Sequence, residues 1–85
     1  MELVYAPTFL RMLKSLPSDL QDEAIEKIDL FQHQNNHPSL KAHKLKGRLL
    51  GRWSFSVNYK IRIVFLKMHS KKICLLAIGD HDVYL

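Results

Sequence analysis

Arg62 is the lone cation within the apolar run Ile61-Arg62-Ile63-Val64-Phe65. On a strand whose odd residues point inward, an even position faces the other way. An arginine there presents a planar, two-pronged donor that matches a phosphate. The same side chain could instead be solvated or salt-bridged on a half-exposed strand. His81 follows, between Asp80 and Asp82 at a strand end. An imidazole in that place could take a proton from a ribose 2′-hydroxyl or give one to a leaving 5′-oxygen, and the flanking carboxylates would hold its tautomer. It could also be an ordinary turn histidine. Tyr84 could stack on a base, hydrogen-bond a phosphate, or simply anchor the chain end on the core. Lys44, Lys46 and Arg48 alternate, so an extended backbone would aim all three the same way, along a phosphate backbone. They could equally belong to a solvated basic loop. His43 sits beside them as a second acid–base candidate.

Other chemistries find little support. The single Cys74 lies in an apolar strand and reads as a small core residue. No Cys/His pair has zinc-like spacing, and Pro38 with Asn35 and Asn36 argues against a helix that would bring His33 and His37 together. There is no Gly-rich phosphate loop and no nucleophile elbow. A metal or organic cofactor is therefore not expected.

These groups must be carried by a small domain. The chain has 85 residues, 47% of them hydrophobic, which suffices for one modest core over residues 1–85. The formal charge is +5, which favours an anionic partner. The charges are separated: five of the eight acids lie between Asp19 and Asp29, whereas Lys41 to Arg48 contains none. One basic face is the expected result. No apolar run is long enough for a membrane span, and the N-terminus lacks signal-peptide character, so a cytoplasmic location without membrane contact is expected.

Glu2 to Tyr5 reads as a short edge strand. Pro7 suits the first turn of a helix carrying Phe9, Leu10, Leu13 and Leu16, and Pro17 stops it. Ser18 with Gln21 forms a capping-box pattern for a second helix, whose apolar stripe is Leu20, Ala24, Ile25, Ile28 and Phe31. That helix should fade near His33. Residues 39–50 show no period and read as an irregular connection, with bends at Gly47 and Gly51. From Trp53 to Phe65 every odd position is apolar. A turn is expected near Val57-Asn58-Tyr59, with Asn58 in a left-handed conformation. Residues 68–72 form a polar hairpin connection, and Ile73 to Ile78 is the next strand. The order β-α-α-β-β-β implies an α+β fold: two N-terminal helices packed on one face of a small, mainly antiparallel sheet. The other face should be polar or covered by a partner.

The stretch Leu45-Lys46-Gly47-Arg48-Leu49-Leu50-Gly51-Arg52-Trp53-Ser54, the strand Tyr59-Lys60-Ile61-Arg62-Ile63-Val64-Phe65 and the ending Ile78-Gly79-Asp80-His81-Asp82-Val83-Tyr84 together resemble the RelE/ParE superfamily of bacterial toxins. The resemblance covers essentially the whole chain. It implies a toxin that cuts mRNA in the ribosomal A site without metal, by attack of a 2′-hydroxyl on the adjacent phosphate, and a cognate antitoxin that binds it in a hetero-oligomeric complex. Arg62, Lys44, Lys46 and Tyr84 match functional positions of the RelE branch. His81 matches the C-terminal histidine of the YoeB and YafQ branches. Where YoeB-like enzymes carry a glutamate base, this chain has His43, a departure that still leaves a proton acceptor. On this basis Arg62 would stabilise transition-state charge, His81 would move a proton, and Lys44, Lys46 and Arg48 would hold the message. The ParE branch offers the alternative of gyrase inhibition by binding alone.

Overall fold

The structure, a computed structural model, describes residues 1–47, 51–80 and 83. Strand β1 (Glu2–Tyr5) leads into helix α1 (Pro7–Lys14) and helix α2 (Ser18–His33). A 3-10 turn (Pro38–Leu40) and strand β2 (His43–Lys44) follow, then β3 (Arg52–Ser56), β4 (Arg62–His69) and β5 (Lys72–Gly79). The sheet order is β1-β5-β4-β3-β2. Among the described residues only β1 and β5 pair in parallel, and the other pairings are antiparallel. The α+β arrangement of helices on a mainly antiparallel sheet is therefore as expected. No helix of the described residues is long and apolar enough to cross a membrane.

Pro7 opens α1, where its missing N–H leaves no bond unmade. The expected capping box at Ser18 does not form. Pro17 is the N-cap of α2, with no side-chain cap. The Gln21 amide reaches backward instead, donating to the Leu16 carbonyl at 2.8 Å and the Lys14 carbonyl at 3.3 Å. Those carbonyls are left over at the end of α1, so one side chain satisfies the exit of one helix from within the next. Of the anticipated stripe on α2, Ala24, Ile28 and Phe31 are buried. Ile25, one residue on from Ala24, is turned away and 56% exposed.

Phe31 stacks on Phe55 of β3 with ring centroids 4.3 Å apart, and lies 4.9 Å from Phe65 of β4. These rings join α2 to the sheet and form the centre of the core. The segment after α2 is more ordered than its lack of period suggests. The 3-10 turn drops Leu40 into the core at 0% exposure, and His43 and Lys44 then pair with Ser54 and Trp53. Gly47 and Gly51 do mark bends, with φ of +70° and +89°.

Alternation holds across β3 and β4, where Phe55 faces Ile63 and Trp53 faces Phe65. On β5 a bulge interrupts it. Val64 pairs with Ala77 but Phe65 pairs with Leu75, so Leu76 is the extra residue. Inward-facing positions thereby change from odd to even, and Leu75 and Ile78 are both buried. The sheet face away from the helices buries Ser54, Ser56 and Val64. It is thus neither wholly polar nor wholly left for a partner to cover.

The turn between β3 and β4 falls where expected, but Asn58 is not left-handed. Among the described non-glycine residues only Lys41 has positive φ. Asn58 closes the turn with its side chain, its Oδ1 accepting from the N–H groups of Lys60 at 2.8 Å and Ile61 at 2.7 Å. An Asx-type turn of this kind supplies the reversal without the left-handed backbone.

Candidate nucleic-acid interface

Arg62 is the first residue of β4, paired with Ser56 on one side and Gly79 on the other. The guanidinium is half-buried, and its Nη1 donates to the carbonyls of Asn58 and, at 3.2 Å, Ile61. One nitrogen of the fork is therefore held by the preceding turn. The turn is itself fixed from below: the Asn58 amide donates to Glu23 Oε1 on α2 at 2.6 Å. Glu23, Asn58 and Arg62 form a line of contacts that ties the orientation of the guanidinium to helix α2.

His43 lies opposite Ser54, which lies opposite Val64, two residues along β4 from Arg62. The pleat therefore puts His43 and Arg62 on the same sheet face, away from the helices. Two strand spacings across and two residues along separate their Cα atoms by roughly 12 Å. Two side chains of this length can approach one ribose-phosphate unit from opposite sides. His43 is exposed, and its Nδ1 lies 2.9 Å from the Lys41 carbonyl. A carbonyl oxygen can only accept, so Nδ1 carries the proton in the neutral ring and Nε2 remains as a proton acceptor.

Lys44 points to the other face. It pairs with Trp53, and its Nζ lies 5.6 Å from the indole centroid. The expectation that Lys44 and Lys46 extend along one direction meets a strand only two residues long. Leu45 bonds to the Arg52 carbonyl through its N–H at 2.9 Å, and Lys46 is exposed beyond the strand. Arg48, His81 and Tyr84 lie outside the described residues. Their neighbour Val83 is described. Its N–H donates to the Asp80 carbonyl at 2.9 Å, and a Cβ placed on Gly79 would meet the Val83 Cβ at 3.6 Å. Val83 therefore lies beside Gly79, the residue paired with Arg62, with the Met12 Cε of α1 3.9 Å from the same point. Among the described residues no cluster of His, Cys, Asp and Glu could hold a metal ion.

Two features escaped the reading of the sequence. One is the role of Asn58 and Glu23 behind Arg62. The other is Lys67, whose Nζ lies 3.8 Å from the Trp53 ring centroid. Its odd number places it on the same face of β4 as Phe65, which is the signal that could have found it. Replacing Asn58 with alanine removes one acceptor shared by two backbone N–H groups and one donor to Glu23. A loss of about 1–3 kcal/mol is expected, read as a lower urea midpoint at unchanged m-value.

No family model matches this chain, and no curated protein matches it. Solved structures do. The chain is similar to the YoeB/ParE toxin from Agrobacterium tumefaciens, with a TM-score of 0.75, 16% identity, and coverage of 95% of this chain and 99% of that one. It is similar to the YafQ H87Q mutant from E. coli, with a TM-score of 0.75, 16% identity, and coverage of 99% and 97%. It is also similar to the RelBE2 toxin–antitoxin complex from Mycobacterium tuberculosis, with a TM-score of 0.73, 18% identity, and coverage of 94% and 96%.

The chain has the RelE/ParE toxin fold. On this RelE/ParE scaffold, His43 and Arg62 share the face away from the helices. Lys44 and Lys67 flank Trp53 on the opposite side. The scaffold thus carries two separate groups of basic side chains, one on each face of a single sheet.

Proposed function

We propose that this chain is the toxin of a toxin–antitoxin pair, and that it cuts ribosome-bound mRNA by attack of a 2′-hydroxyl on the adjacent phosphate. His43 Nε2 takes the proton of the 2′-hydroxyl. The 2′-oxygen bonds to phosphorus, and the bond from phosphorus to the 5′-oxygen breaks. A 2′,3′-cyclic phosphate and a 5′-hydroxyl result. His81 gives a proton to the departing 5′-oxygen, and Tyr84 holds a base or a phosphate oxygen. Arg62 faces the phosphoryl oxygens, where negative charge grows as the phosphorus becomes five-coordinate. Preorganised donors at such a position act without reorganising during the reaction. Lys46 and Arg48 hold the message on either side of the cut; Lys44, expected beside them, faces Trp53 on the other side of the sheet and has no part in this site.

The observation that supports this reading most is the arrangement around Arg62. Two backbone carbonyls hold the guanidinium, and it shares a sheet face with a histidine whose Nε2 can accept a proton. Val83 lies beside Gly79, the residue paired with Arg62, and beside Met12 of α1. The partner follows from the same likeness: the M. tuberculosis relative was solved as a toxin–antitoxin complex. A cognate antitoxin is proposed here, with the cytoplasm as the place where toxin and ribosome meet.

The test is cleavage of a defined message on programmed ribosomes, run beside a gyrase supercoiling assay. Discrete cuts with supercoiling unaffected support the proposal. Inhibited supercoiling with an intact message would replace it with gyrase inhibition.

A further inference from the structure

A second site lies on the helix side of the sheet. A cleft of about 410 Å³ opens between the loop that leaves α2 and the ends of β3, β4 and β5. This falls within the range of roughly 300–1,000 Å³ usual for small-molecule sites. Its floor is apolar and aromatic, built from Phe31, Phe65, Ile73 and the Trp53 indole. Its rim is rich in donors. Lys41 and Lys67 line it together with the amides of Asn35 and Asn36. His37, also in the lining, accepts the Ser39 N–H on its Nδ1 at 3.2 Å, so its Nε2 carries a proton to donate. No carboxylate lines the cleft among the described residues. Lys67 and Lys44 both hold their ammonium groups near the indole, at 3.8 Å and 5.6 Å from its centroid.

We propose that this cleft binds one nucleotide of single-stranded RNA, with the base on the Trp53 indole, the phosphate on Lys67 and Lys44, and the Asn35 and Asn36 amides at the base edge. The choice of RNA as ligand rests on the function proposed above; the site itself does not use Arg62 or His43. Trp53 packs one face toward Phe65, with ring centroids 6.2 Å apart and planes at 22°. The Lys67 ammonium lies over the ring. Stacking of a base on an indole is worth more than a cation–π contact at an exposed site, so the base displaces the ammonium. The freed ammonium then meets the phosphate. An acidic peptide would satisfy the lysines but would leave the planar ring and the amide pair without a use.

Trp53 is the single tryptophan of the chain, so its fluorescence reports this cleft alone. The full-length Arg62→Ala protein, which removes the phosphate-binding contribution of the other face, is titrated with a seven-nucleotide single-stranded RNA without ribosomes. Saturable quenching is expected. Adding Lys67→Gln should weaken binding and flatten the plot of log affinity against log salt by about 0.7, the value for one phosphate contact on a single strand. Lys60→Gln, a change at the far turn, should leave the quenching curve where it was. Absence of quenching, or an unchanged salt slope in Lys67→Gln, overturns the proposal, as does quenching by a glutamate-rich peptide but not by RNA. Quenching with no cleavage on ribosomes would overturn the proposed function and leave the cleft standing. Cleavage with no quenching would do the reverse.

Discussion

Replacing Arg62 with alanine is expected to lower message cleavage about a hundred- to a thousand-fold at saturating protein. A preorganised donor aimed at developing charge supplies roughly 3 kcal/mol of barrier reduction, and each 1.36 kcal/mol is a factor of ten. The side chain also has a structural task, because its Nη1 holds the carbonyls of Asn58 and Ile61. Its removal should therefore also destabilise the fold by about 1.5–3 kcal/mol, the usual range for hydrogen bonds to a charged group. Single-turnover cleavage at a temperature where circular dichroism shows both proteins folded separates the two effects. Lysine at this position keeps a cation but loses the planar fork. Activity between that of the wild type and the alanine variant is expected for Arg62→Lys. Full activity in Arg62→Ala would remove this residue from the reaction.

The largest effect on stability is expected from Phe55→Ala. Phe55 has 0% exposure and stacks on Phe31 at 4.3 Å, with Phe65 at 5.8 Å. Truncating a buried phenylalanine costs about 3–5 kcal/mol, because transfer energy is lost and the remaining void keeps neighbours out of contact. A domain of this size holds only about 4–13 kcal/mol in total, at roughly 0.05–0.15 kcal/mol per residue. One truncation should therefore remove a large share of the stability, and a urea midpoint near zero is the extreme outcome. A change under about 1 kcal/mol would mean that the Phe31–Phe55 stack does not join α2 to the sheet.

The elements were legible where a local pattern was also the global one. Alternation from Trp53 to Phe65 revealed β3, β4 and the turn between them, because one face is buried against the helices and the period of two is read directly. Parity also placed Arg62 on the opposite face. Where a polar side chain took a partner that its spacing does not encode, the pattern failed. Gln21 carries the spacing of a capping box, yet the free carbonyls of α1 took its amide. Asn58 has the chemistry of a left-handed turn residue, yet its side-chain oxygen closed the turn instead. The bulge at Leu76 leaves no local mark, because Leu75, Leu76, Ala77 and Ile78 are all apolar.

The candidate site follows the same rule. Arg62 could be placed from its own strand. His43 and Lys44 could not, because β2 is two residues long and its facing is set by pairing with Ser54 and Trp53. That pairing sends two adjacent basic residues to opposite faces of the sheet, a separation that composition cannot reveal. Lys67 lies 14 positions from Trp53 and meets it only across the β3–β4 ladder.

The central claim is that this chain breaks RNA through its own 2′-hydroxyl, held between His43 and the Arg62 guanidinium. The direct measurement uses a message carrying a single 2′-deoxynucleotide on the 5′ side of the mapped cut, presented on programmed ribosomes. Loss of cutting at that position, with cuts elsewhere retained, is the predicted result. Cleavage that continues at the deoxy position would mean that another nucleophile attacks the phosphate, and would contradict the account.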